Sequence, residues 1–91
     1  MTIAGTLVAD PQPVGDHEHL TVLISTGDRV EVDHNVGLSQ WVPAHMGDAL
    51  TVHGQLYIDP GPHAGIHCTH AHTSTGCPVP GWIVFKSAYY Q

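Results

Sequence analysis

The sequence predicts an all-β domain, a small five- to six-stranded OB-like barrel, on three observations. Apolar residues fall in short runs rich in Val, Ile, Leu and Thr, turn-forming residues punctuate those runs roughly every ten positions, and no stretch sustains a helical period. Ninety-one residues supply one hydrophobic core, so residues 1–91 are read as a single domain.

The apolar runs place strands at 2–9, 19–25, 29–34, 49–58, 63–68 and 82–86, the last either closing the barrel or packing over it as a tail. Asp10-Pro11-Gln12-Pro13 and Gly15-Asp16 make the first loop, and Thr26-Gly27-Asp28 a tight hairpin turn. Residues 37–44 cover a gap with room for one helical turn. Gly47-Asp48 turns into the long fourth strand, and Gly54 within it supplies the bend that carries a barrel strand round a corner. Asp59-Pro60-Gly61-Pro62 is a turn, and residues 73–81, with two prolines and two glycines, form an irregular loop. Trp82 follows Gly81 and is expected to bury its large apolar surface against the barrel.

Only Arg29 and Lys86 oppose eight carboxylates, for a formal charge of -6 with histidine neutral. Phosphate backbones and anionic membranes are held mainly by Lys and Arg, so nucleic acid is an unlikely partner unless a metal assists. Nine histidines make the charge strongly dependent on acidity below about pH 6. No apolar run approaches the ~20 residues of a membrane helix, and the N-terminus lacks the pattern of a signal peptide. The chain as given therefore reads as cytoplasmic, with a secreted or periplasmic location expected for a trimmed mature form.

The densest chemistry lies in Ile66-His67-Cys68-Thr69-His70-Ala71-His72, followed by Cys77. Imidazole nitrogens and thiolates at that density suit Zn²⁺ or Cu²⁺, although neither a Cys-x-x-Cys pair nor a His-Glu-x-x-His helix is present. A continuing strand would put Cys68, His70 and His72 on one face, whereas a turn near Thr69 would bring His67 and His70 together. Cys68 and Cys77 are open to three states: a disulfide, free thiols or metal ligands. Asp33-His34-Asn35 closes the third strand, where His34 can serve as ligand or general base. Asn35 can fix the imidazole tautomer or donate to an oxyanion, and it is equally suited to a simple turn. Asp16-His17-Glu18-His19 puts two histidines on one strand face, with carboxylates able to orient a ligating ring.

The ordered set His17, Gly27, His34-Asn35, Gly47-Asp48, Gly54, Ile66-His67-x-Thr69-His70, Gly81-Trp82-Ile83 and Tyr90 resembles the bacterial domain-of-unknown-function family 3465, from about Gly5 to Gln91. The resemblance implies a shared layout and an export signal in the precursor, and it leaves the activity open. This chain departs from the pattern at Glu18, where glutamine is usual, at Cys68, where tryptophan is usual, and at Cys77, near a usual histidine.

The expected centre is a Zn²⁺ site of His34, His67 and His70 completed by His17 or Cys77, with His34 and Asn35 as the catalytic pair. Three protein ligands leave a position for activated water, so metal-dependent hydrolysis is expected, a phosphodiester being the first substrate to test. The alternative is a non-catalytic binding or assembly module that uses the barrel face or a sheet edge for a small molecule, a peptide, a saccharide or a second copy of itself.

Overall fold

The computed structural model describes residues 1–58 and 64–91. The expected turn at Asp59-Pro60-Gly61-Pro62 lies outside the described residues. All regular structure among the described residues is β: β1 (Thr2–Leu7), β2 (Gln12–Val14), β3 (His17–Ile24), β4 (Arg29–Asn35), β5 (Ala49–His53), β6 (Gln55–Ile58), β7 (Ala64–His67), β8 (Trp82–Phe85) and β9 (Ala88–Tyr90). The all-β class therefore holds, and residues 37–44 carry turns and extended chain in place of the expected helical turn.

Strand neighbours run β6-β7-β4-β3-β1-β5-β8-β9, with β2 paired onto β3, in one mixed sheet that is not closed into a barrel. The β3–β4 hairpin is the longest ladder, from His17 opposite Asn35 to Leu23 opposite Arg29. Its turn is held by Thr26, whose hydroxyl donates to the Asp28 carboxylate at 2.7 Å, and by Gly27 at φ 89°, a value glycine adopts without steric cost. β4 and β7 are parallel, Glu31 opposite Gly65 and Val32 opposite Ile66. β5 and β6 are consecutive stretches separated by Gly54 alone. A Cβ at Gly54 would meet the His67 carbonyl oxygen at 2.5 Å, so only glycine lets the chain bend here against β7.

Period-two alternation decides what is inside. Ile3 and Leu7 of β1, Leu20 and Val22 of β3, Val30 and Val32 of β4, Leu50 and Val52 of β5, Ile66 of β7, and Ile83 and Phe85 of β8 form one core. Val42 and Ala44, from the segment between β4 and β5, complete it. The same alternation corrects the expectation for Trp82: its neighbour Ile83 is the buried residue, and Trp82 lies half-buried on the outer face. There its indole stacks on His53, with ring centroids 5.3 Å apart and planes 18° from parallel, and meets Tyr89 edge-on.

Candidate functional site

Glu18 shares the parity of Leu20 and Val22 on β3, and His34 that of Val30 and Val32 on β4, so both side chains enter the core. The register sets them directly opposite one another. Thr69 and His70 join them from the segment after β7, and these four are the fully or almost fully buried polar residues among those described.

Both ring nitrogens of His34 are engaged. Nε2 lies 2.8 Å from the Gln40 carbonyl oxygen, which can only accept, so Nε2 carries the proton. Nδ1, then bare, accepts from the Thr69 hydroxyl at 2.7 Å. Burial pushes the His34 pKa down, against the opposing pull of the Gln40 carbonyl, and the nearby His70 and His17 push it further down. The imidazole is thus held neutral in one tautomer. Glu18 Oε1 accepts from the Val42 N–H at 2.7 Å, whereas its buried Oε2 has no partner among the described residues. Burial raises the Glu18 pKa to about 7 despite the Val42 hydrogen bond.

After His67 the backbone leaves the strand at Cys68, φ 59°, and the expected alternation ends there. Cys68, Thr69 and His70 consequently all turn inward. His70 Nδ1 donates to the His72 carbonyl at 2.6 Å, and the His70 carbonyl accepts from the Gly81 N–H at 2.9 Å, so this histidine holds its own loop together. Cys68 and Cys77 form a disulfide, with Cα atoms 5.4 Å apart. The two cysteine departures from the resembled pattern are therefore bonded to each other.

The expected ligand set does not assemble. His34 and His70 share the interior. His67 sits on the outer face of β7, its ring edge-on to Tyr57 at 5.1 Å, and His17 is half-buried on the outward side of β3 opposite Asn35. Cys77 is corrected from ligand to disulfide partner, because a sulfur bonded to Cys68 has no thiolate to offer a metal. Among the described residues no three His, Cys, Asp or Glu side chains are grouped to hold a metal ion. Asn35 spends its carboxamide oxygen on the Gly37 N–H at 2.9 Å, the simple turn role.

A second polar row crosses the outer face. His19 Nε2 pairs with Asp33 Oδ1 at 2.8 Å, and the Tyr57 hydroxyl donates to Asp33 Oδ2 at 2.7 Å, above the His67 ring contact. Glu18, expected to orient a ligating ring beside its histidine neighbours, instead points into the core. Its parity with Leu20 and Val22 was the signal that it faces the core.

The described residues also form a groove of about 440 Å³ at the Gly54 bend, lined by Met1, His53, Leu56 and Pro78 to Pro80. Met1, Leu56 and Val79 are exposed there. Comparison with family models, curated proteins and solved structures finds no match to this chain.

Proposed function

We propose that this protein is a non-catalytic binding module of OB-like layout that holds an extended polypeptide along the β6 edge and the groove at the Gly54 bend. The OB-like layout is supported by the β1–β3–β4 order, the parallel β4–β7 pair and the single-residue link between β5 and β6, which read together as one long strand bent at Gly54.

The observation that carries the binding reading is the coincidence of edge and groove. β6 pairs with β7 alone among the described residues, and Gln55 and Leu56 of that strand line the groove beside exposed Val79. A free strand edge supplies main-chain donors and acceptors to an added strand, and flanking apolar pockets take its alternate side chains. The buried polar groups are, by contrast, committed to holding loops. The Cys68–Cys77 disulfide supports the exported of the two expected locations, since such bonds persist in oxidising compartments.

Titration of the ¹⁵N-labelled protein with a capped alternating Thr-Val hexapeptide tests this. Shift changes concentrated at Gln55, Leu56 and Val79, abolished by Leu56→Asp, are expected. No change there, together with stoichiometric Zn²⁺ uptake perturbing His34 and His70, would overturn the binding module in favour of the hydrolase.

A further inference from the structure

Residues 36–44 contain no titratable side chain and no strand, yet they cover the interior end of the β3–β4 hairpin. Val42 and Ala44 anchor the segment in the core. Between Leu38 and Ala44, two buried side chains tie its backbone to the hairpin: His34 Nε2–H donates to the Gln40 carbonyl, and the Val42 N–H donates to Glu18 Oε1. These two side chains face each other across the ladder, and both are completely buried.

While the segment is closed, neither side chain has surroundings suited to a charge. An ionised Glu18 would have one main-chain donor and a second oxygen without a partner. A second proton on His34 would enter at Nδ1, which faces the neutral Thr69 hydroxyl at 2.7 Å and so meets no compensating charge there. His70 and His17 lie within electrostatic reach of His34 and oppose its protonation, and the covering segment offers no counter-charge. Lifting the segment admits water to both groups and removes the desolvation that keeps them neutral.

We propose that residues 36–44 are a lid whose lifting moves one proton from Glu18 to His34, so that the closed protein hides a neutral pair and the open one presents a carboxylate beside an imidazolium. The Glu18 O–H bond breaks and a His34 Nδ1–H bond forms, with the proton count unchanged. Opening uncovers Glu18 and His34 together, as a site that exists only in that state.

The closed protein resists charging Glu18 up to about pH 7 and holds His34 below its ordinary 6.5, whereas in water the carboxyl ionises near 4.5 and the imidazole near 6.5. Lid opening therefore releases a proton from Glu18 and takes one up at His34 between those two ordinary values. The two pH dependences oppose one another in the wild type and separate in single variants.

Amide exchange of Val42 in the intact protein, corrected for the intrinsic rate, reads the lid. Wild-type protection should vary less steeply with pH between 4.5 and 6.5 than that of either single variant. In Glu18→Gln it should rise with pH towards 6.5, and in His34→Gln it should fall by up to about tenfold per pH unit from 4.5 to about 7. Independently of any variant, the wild-type Glu18 carboxyl carbon should titrate near pH 7 in step with the Val42 amide shift. Slopes of the same sign in the two variants, or a Glu18 carboxyl titrating near 4.5, would overturn the lid. If a variant does not fold, the wild-type carboxyl titration decides.

Discussion

Thr69 is a small residue with a large local role, because its hydroxyl is the donor that satisfies His34 Nδ1 in a site without water access. Thr69→Val keeps the shape and leaves that nitrogen unpaired, so urea denaturation should show a loss of about 1–3 kcal/mol, while Thr69→Ser should recover most of it. Glu18 gives a prediction of opposite sign. Its pKa lies near 4.5 in the unfolded chain and about 7 in the folded one, so the stability it contributes is complete below 4.5 and is lost as pH rises through about 7. Glu18→Gln keeps the acceptor for the Val42 N–H and removes the charge. The variant should be more stable than wild type at pH 8, with the advantage shrinking as the pH falls towards 5. Equal or lower stability of Glu18→Gln at pH 8 in urea titrations would show that the buried carboxylate is not under strain.

The segment from Cys68 to Gly81 is an element without regular structure, fixed by the disulfide, by the Gly81 N–H to His70 carbonyl bond and by a close approach of Gly81 to Cys68. Closing so short a loop contributes about 2–3 kcal/mol, so Cys77→Ser and Cys68→Ser should lower stability by similar amounts. Ellman titration of the unfolded, unreduced protein should find no free thiol. Gly81→Ala should lose about 1–3 kcal/mol or more in thermal unfolding, because its new Cβ meets the Cys68 carbonyl and backbone cannot yield as a side chain does. The strands were legible where alternation is long: 29–34, 49–58 and 82–86 fall close to β4, to β5 with β6, and to β8. β2 and β9 were not, because three residues carry too short a pattern, and Pro13 reads as a turn unless β3 is known to lie beside it. The site was half legible. His34 and His70 are both buried, whereas ordinary alternation with buried Ile66 turns His67 outward, and the left-handed Cys68 then ends the strand so that its successors face inward.

At the scale of the whole molecule, charge is carried by few side chains and corrected by many histidines. The isoelectric point of about 5.7 lies below the ordinary imidazole pKa of ~6.5, where imidazolium charge offsets the excess of carboxylates. Light scattering against pH should show minimum solubility near that value, with recovery on the acid side as the net charge turns positive. Scattering that keeps rising well below the isoelectric point would indicate exposure of the core instead. The parallel β4–β7 pair bears on how the chain reaches this arrangement. The β3–β4 hairpin closes through a short turn and can form early, whereas β7 must reach β4 across the intervening residues 36–63. Until it arrives, the β4 edge at Glu31 and Val32 stands open and can recruit a strand from another molecule. Refolding should consequently lose yield with rising protein concentration during the interval before β7 docks, and Cys68, which directly follows β7, ties that strand in place once it is oxidised.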